Sequence, residues 1–295
     1  MLRNQNIIIR YMGGLGNQMF QYALRCYFEE KGKLVKDDIQ YYQNNPTAMP
    51  FRLGTFFPNI SLNIAEECEV KSFYERRKSR NILVRFVNKL FPSTCLIQEE
   101  KKELNFDSKI LKSYSAYIIG YWQSYRYVEK IENLLKKRFE FSVIDNKEIN
   151  DVLYEIKNSN SVSLHIRLGD YLLPQNNELF GGICTPEYYR NAIKLKQRKV
   201  ANPRFFVFSN DVNWCKENLL LENVAWVDLS KIYDYNDWMD MYLMSSCDHN
   251  IIANSSFSWW AAWLNSNPNK IVVAPKKWMN TIKKDEVCPK DWIRI

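Results

Sequence analysis

The chain has only two histidines, His165 and His249, among its 295 residues, and no two cysteines stand at Cys-x-x-Cys spacing. A histidine-based or zinc-ribbon metal site is therefore not expected, because such sites need three or four ligands at short spacing. Asp-x-Asp is also absent, so no acidic pair of that kind is present to hold a metal against a phosphorylated ligand. The seven cysteines, Cys26, Cys68, Cys95, Cys184, Cys215, Cys247 and Cys288, are odd in number and scattered. That pattern predicts free thiols in a reducing compartment, not a disulfide framework. The charge-free run Asn250 to Asn269 is broken by Asn and Ser, which makes it a poor membrane span. Ile7-Ile8-Ile9 is too short for a signal-peptide core and meets Arg10 at once. Zinc-finger spacing, an RNP-type aromatic motif and a basic recognition helix are all missing, so no nucleic-acid partner is expected. Internal repeats and low-complexity segments are missing too.

What is present is an ordinary globular composition, 46% hydrophobic and 25% charged. The length suits two domains better than one. A net charge of +8 suits a polyanion, an anionic membrane surface or a phosphorylated substrate. The expected location is cytoplasmic, with peripheral association to an anionic membrane surface as the variant the charge allows. The basic clusters Glu75 to Arg80 and Leu135 to Arg138 read as solvated surface. Aromatic residues, at 15%, can stack on sugars or bases but more often fill cores.

One stretch organises the rest. In Ser161 to Tyr171, Val162, Leu164 and Ile166 alternate with Ser161, Ser163 and His165, the signature of a buried strand. Gly169-Asp170 then signals a turn. His165 and Arg167 should share a face at the C-terminal end of that strand, the edge where ligands bind in open α/β sheets. Arginine there offers a rigid fork of donors for phosphate. The plainer alternative is that Arg167 pairs with Asp170 across the turn.

The N-terminal half opens with a buried strand over Asn6 to Met12, runs into Gly13-Gly14-Leu15-Gly16-Asn17-Gln18, and continues into a helix that ends near Gly32. Strand, glycine turn and helix is the opening of a nucleotide-binding α/β unit, although the spacing is not the dinucleotide fingerprint Gly-x-Gly-x-x-Gly. Lys33 to Asp38 reads as a second strand, Tyr41 to Pro58 as mostly loop, and Glu66 to Asn88 as a charged helix. Tyr117 to Trp122 reads as a strand, and Val128 to Phe139 as an amphipathic helix. The polar stretch Ser142 to Asn150 marks a boundary, giving domains 1–145 and 146–295.

The second half alternates strand and helix. Leu172 to Cys184 reads as loop. Thr185-Pro186 starts a helix, with Thr185 as N-cap and proline in the first turn. Arg204 to Phe208 is a strand ending in Ser209-Asn210-Asp211, and Val224 to Leu229 is another. Asp237 to Cys247 is a helix whose Trp238, Met241, Tyr242 and Met244 face the core. His249 to Ala253 is a short strand, followed by Asn254-Ser255-Ser256-Phe257-Ser258 at the start of a helix through Leu264. Ile271 to Ala274 closes the sheet. Parallel βα units place the polar groups after all three central strands on one edge. An arginine, an acid and a hydroxyl-rich helix start would together suit a nucleoside diphosphate.

These residues also carry a resemblance. Gly13 to Ala23, Gly120-Tyr121-Trp122-Gln123-Ser124, His165 to Tyr171, Phe208 to Asp211 and Asn254 to Ala261 resemble, in order, the motifs of the bacterial α-1,2-fucosyltransferases of glycosyltransferase family 11. Where many of that family have a second basic residue after the motif arginine, this chain has Leu168. The resemblance implies an α/β protein of GT-B architecture, with two Rossmann-like domains and a cleft between them. The N-terminal domain would be on the acceptor side and the C-terminal domain would bind the donor. It implies a galactoside 2-α-L-fucosyltransferase that moves L-fucose from GDP-β-L-fucose to the 2-hydroxyl of a terminal β-galactoside, such as an O-antigen-type glycan. The reaction would proceed with inversion, without metal and without a cofactor, GDP-fucose being a substrate.

By position, Arg167 would bind the β-phosphate, His165 would support it and Asp211 would contact the guanosine. Ser209, Asn210, Asn254, Ser255, Ser256 and Phe257 would complete the donor site. Gly14, Gly16 and Asn17 would face it from the first domain. Gln123 and Glu178 are acceptor-side candidates. Asp170 is the first candidate for the base that takes the acceptor proton and Glu178 the second; either could be structural, and a base-free route is open. The alternatives in function are a related transferase with another nucleotide sugar and a non-catalytic protein that binds a nucleotide or glycan.

Overall fold

An Ile-rich run without polar alternation belongs in a strand covered on both faces, and Ile7, Ile8 and Ile9 form the buried centre of β1, Asn6–Arg10. The computed structural model describes residues 6–78, 97–100, 104–168, 174–219, 221–230, 232 and 236–295. The chain divides into two units, Met1–Glu140 and Phe141–Ile295.

In the first unit, β1 is joined by β2 (Leu34–Asp38), β3 (Ile97–Glu99) and β4 (Ala116–Ile119). All pairings are parallel, in the order β2-β1-β4-β3. The helix Leu15–Glu30 carries the chain from β1 to β2. It buries Met19, Phe20, Ala23 and Leu24, the positions its 3.6-residue period assigns to one face. The region read as loop contains two short helices, Gln40–Asn44 and Leu53–Phe56. The charged helix spans Glu67–Lys78; the remainder of its expected range lies outside the described residues. The helix expected over Val128 to Phe139 is interrupted by a 3-10 turn at Glu129–Ile131. Val128, Ile131, Leu135 and Phe139 nevertheless keep one buried face, because spacings of three and four suit both helix types.

In the second unit, β5 (Ser161–Ile166), β6 (Arg204–Ser209), β7 (Val224–Val227), β8 (His249–Ile251), β9 (Val272–Ala274) and β10 (Ile293–Arg294) form one parallel sheet. Its order is β10-β9-β8-β5-β6-β7. β5 lies in the middle and every one of its residues is buried. β9 was expected to close the sheet, but β10 pairs beyond it, Ile293 with Val273 and Arg294 with Ala274. The polar stretch read as a boundary contains a helix, Lys147–Lys157. Asn146 caps it by accepting from the Ile149 N–H at 3.0 Å, and Ile149 and Ile156 are its buried anchors. Leu172 to Cys184 likewise holds a helix, Pro174–Phe180. A proline at the first helical position loses nothing, since its missing N–H would have had no partner there. Thr185 caps the helix Pro186–Lys199 as expected, accepting from the Tyr188 N–H at 3.3 Å.

Trp238, Met241 and Met244 of the helix Trp238–Ser246 are buried, and Tyr242 packs edge-on against Phe141 at 5.4 Å. The charge-free run Asn250 to Asn269 folds inside this unit: Asn250 donates to Ser163 Oγ at 2.8 Å, and Asn265 donates to Asn250 Oδ1 at 2.8 Å. Among the described residues no helix is long and apolar enough to cross a membrane. Cys26, Cys68, Cys184, Cys215, Cys247 and Cys288 are free thiols; Cys95 lies outside the described residues.

Candidate active site

β8, β5 and β6 are neighbours and run the same way, so the polar residues that follow them leave the sheet at one edge. β5 stops at Ile166, one residue before Arg167. The arginine is therefore the first residue past the sheet and is not held in a strand register with His165. His165 is 6% exposed and its Nδ1 has no hydrogen-bond partner among the described residues. Its ring lies 5.9 Å from that of Phe257, at 47°. Burial, and then the Arg167 charge, push the His165 pKa down to about 3. The imidazole is thus neutral at pH 7, offering one N–H and one acceptor nitrogen, and it is a poor proton acceptor.

The end of β6 is tied to the end of β5. Asn210 Oδ1 accepts from the Leu168 N–H at 3.2 Å, which bridges the two strand exits. Ser209 Oγ accepts from the Asp211 N–H at 3.0 Å. Asp211 is exposed and caps the helix Val212–Asn218, its Oδ1 accepting from the Trp214 N–H at 2.9 Å. After β8, the helix Ser256–Leu264 starts with Ser255 as N-cap, in extended backbone and without a side-chain cap bond. The positive end of the helix dipole therefore lies at this edge without a side-chain cap. Asn254 is 2% exposed and works inward: its amide donates to the Phe180 and Trp278 carbonyls, and its Oδ1 accepts from Cys184 Sγ.

The structure therefore brings His165, Phe257, Ser255, Ser256, Asn210 and Asp211 to one edge with Arg167. Glu178 is exposed on the helix Pro174–Phe180, where its carbonyl accepts from Asn280 Nδ2 at 3.2 Å. Asp170 lies outside the described residues.

The first unit has its own edge, after β1 and β4. Gly13 has φ +78°, and a Cβ there would sit 2.5 Å from Asn17 Nδ2. Glycine is therefore obligatory at Gly13. Gly14, the N-cap of the helix Leu15–Glu30, would meet nothing within 4 Å if it carried a Cβ; Gly16 is buried in the first turn. Asn17 Oδ1 accepts from Gln123 Nε2 at 2.7 Å, so two residues assigned to different substrates form one amide pair. Sequence reasoning missed what holds this edge. Gln21 accepts from the Met12 N–H at 3.1 Å and donates to the Gly120 carbonyl at 3.0 Å. Gln18 donates to the Gly13 and Pro50 carbonyls, at 3.1 and 3.0 Å. The signal was available: Gln18 and Gln21, at i and i+3 beside the apolar Met19, Phe20, Ala23 and Leu24, cannot be buried without partners.

The model of glycosyl transferase family 11 matches residues 2–295. The chain belongs to glycosyltransferase family 11. This family 11 glycosyltransferase is 38% identical to the α-1,2-colitosyltransferase of Escherichia coli, over 98% of both chains. It is 30% identical to the E. coli O-antigen biosynthesis glycosyltransferase WbnK, over 96% of this chain and 98% of that one. Among solved structures it resembles NodZ, an α-1,6-fucosyltransferase soaked with GDP-fucose, with a TM-score of 0.50 and 17% identity over 90% of this chain and 97% of that one. The fold is accordingly α/β of the GT-B type, built from two Rossmann-like units.

Proposed function

We propose that the protein transfers L-fucose from GDP-β-L-fucose to the 2-hydroxyl of a terminal β-galactoside of an O-antigen-type glycan. The observation that carries the reading is the edge after β8, β5 and β6, where Arg167, the buried neutral His165 and the positive end of the helix Ser256–Leu264 meet. A diphosphate supplies the acceptor oxygens that such an edge needs. It would also explain His165: a buried ring nitrogen without a partner is costly, and with the proton of the neutral ring on Nδ1 that nitrogen would donate to a phosphate oxygen.

Displacement at the anomeric carbon with inversion passes through an oxocarbenium-like state, and negative charge grows on the departing GDP. Arg167 and the helix start stabilise that charge, an effect that accelerates transfer to the extent that the contacts strengthen in the transition state. No metal is needed where fixed cationic groups do this. His165, neutral at pH 7, would hydrogen-bond the donor without competing for the acceptor proton. We assign the acceptor proton to Asp170, with Glu178 as the second candidate. Gln123 would contact the acceptor sugar, and Asn17, expected on the donor side, is reassigned to the acceptor with it because the two are hydrogen-bonded to each other.

The relationship to a colitosyltransferase supports a second reading, in which the donor sugar is colitose, fucose without its 3-hydroxyl. The deciding experiment is GDP release from GDP-fucose and from GDP-colitose, with and without lactose, in the presence of EDTA. Lactose-stimulated release from GDP-fucose, with a 2-linked fucosyl product by NMR, is the expected result. Release from GDP-colitose alone would move the donor assignment, and a strict metal requirement would overturn the mechanism. If GDP failed to raise the Tm more than UDP does, the nucleotide assignment would fall.

A further inference from the structure

Glu100 follows β3, and its backbone N–H continues the sheet ladder by donating to the Ile119 carbonyl at 2.8 Å. Its side chain does something the ladder does not require. Oε2 accepts from the Tyr121 N–H at 2.6 Å, and Oε1 accepts from the Trp122 N–H at 2.9 Å. Both amides lie in the turn Gly120 to Ser124 that leaves β4. That turn is held in unfavourable backbone: Gly120 has φ +151° and Trp122 has φ +55°. A large aromatic residue in the left-handed region persists only where its surroundings impose it.

The carboxylate sits directly on bare backbone. A Cβ at Gly120 would lie 2.4 Å from Glu100 Cβ and 2.8 Å from Oε2, so the glycine is required by the acid beside it as well as by its own φ. Burial raises the Glu100 pKa, and the two N–H groups pull it back. The far side of the turn is fixed by Gln21, which donates to the Gly120 carbonyl, and by the Trp122 ring, 4% exposed and edge-on to Tyr127 at 6.1 Å. The next residue is Gln123, whose amide donates to Asn17 Oδ1 at 2.7 Å.

We propose that Glu100 is a positioning residue for acceptor recognition: its carboxylate locks the Gly120 to Ser124 turn so that the Asn17–Gln123 amide pair meets the acceptor sugar in one fixed geometry. This rests on the reading that the pair contacts the acceptor. A fixed amide pair is suited to a neutral polyol, since a sugar that binds against it costs no further loss of side-chain freedom.

The test compares wild type with Glu100→Gln and Glu100→Asp, using hydrogen exchange at the Tyr121 and Trp122 amides, GDP affinity, and kcat and KM with lactose. In Glu100→Gln, which puts an NH₂ group against a backbone N–H, exchange at both amides should accelerate at least about tenfold. The KM for lactose should rise about tenfold, with kcat within threefold and GDP affinity unchanged. Glu100→Asp, which keeps the charge, should recover part of both effects. Faster exchange with an unchanged KM would overturn the proposal and leave a structural clamp only; unaltered exchange would overturn it by removing the clamp itself. If Glu100→Gln does not fold, Gln123→Ala serves instead: it should raise the KM while leaving exchange at Tyr121 and Trp122 as in wild type, and an unchanged KM there would equally sink the idea. If wild type transferred nothing to lactose, the proposed function would fail and the acceptor role with it, while the exchange arm would still decide whether Glu100 holds the turn.

Discussion

At the edge of the first sheet the Gly13 carbonyl accepts from both Tyr42 and Gln18, Gln21 holds both Met12 and Gly120, and Asn17 is met by Gln123. At the edge of the second sheet His165 is buried with its Nδ1 lacking a partner among the described residues, beside the charge of Arg167 and a helix start without a side-chain cap. The first edge ties most of its polar groups together from within, with neutral amides, hydroxyls and the Glu100 carboxylate, and leaves the buried Trp122 Nε1 without a partner among the described residues. The second leaves polar capacity unfilled and adds positive charge. A surface built mainly of amide and hydroxyl groups can recognise a neutral ligand by shape and a few hydroxyl contacts. An edge with an orphaned buried nitrogen and a cation is instead poised for an anion that completes it. On the proposed reading these are the acceptor and donor sides of one reaction.

The largest expected effect breaks the second edge. Arg167→Ala should lower kcat at least about a hundredfold, the scale at which removing one transition-state charge stabiliser is felt, with Tm little changed because Arg167 lies outside the sheet. Gln123→Ala, at the first edge, should leave GDP affinity intact and raise only the acceptor KM. Steady-state kinetics with a GDP titration on both variants separates the two. Near-normal turnover in Arg167→Ala would remove the charge from the mechanism. A shared loss of GDP affinity would erase the distinction between the edges.

The next effect is a pH dependence confined to the second edge. His165 titrates near 6.5 in the unfolded chain and at about 3 in the folded protein. Below pH 6.5 the unfolded state therefore binds more protons, so stability is full above that pH and declines as pH falls toward 3. The decline from this one group is at most about 1.4 kcal/mol per pH unit. Urea midpoints at pH 7 and pH 5 should drop less in His165→Gln than in wild type, while Gln123→Ala should follow wild type. Equal slopes in His165→Gln and wild type would mean that the imidazole is not buried as described.

How much of this could be read from residues alone differs between the two edges for a physical reason. β5 was legible because Val162, Leu164 and Ile166 alternate, and its neighbours because their apolar runs stop at polar turns. The exit of Arg167 from the strand was not, because pairing with β6 ends at Ile166 opposite Ser209, and a pairing register is a property of two segments. Glu100 was invisible for the same reason. It stands in a charged run, Glu99-Glu100-Lys101-Lys102-Glu103, that reads as solvated surface, and its partners are backbone groups 21 and 22 residues away. The helix Pro174–Phe180 was hidden by its proline, which local reasoning takes as a breaker and which here is the first helical residue. Chain-wide motif order gave the family and the GT-B fold; the hydrogen-bonding roles of Gln18, Gln21 and Asn254 required coordinates.

The smallest effect tests whether the second edge reaches as far as Asp211. This residue has a sufficient structural occupation, capping the helix Val212–Asn218 through Oδ1, and the proposed contact with guanosine would be additional. The two roles separate because asparagine caps about as well as aspartate. Asp211→Ala should cost about 1 kcal/mol of stability through loss of the cap. Asp211→Asn should cost almost none. If the carboxylate also accepts from the guanine base, both variants should lose GDP affinity by about tenfold, the scale of one charge-assisted hydrogen bond, and discriminate less between GDP and ADP. Isothermal titration with both nucleotides reads this directly. Wild-type GDP affinity in Asp211→Asn would make Asp211 a helix cap and nothing more, and would confine the nucleotide-binding part of the edge to Arg167, His165 and the start of the helix Ser256–Leu264.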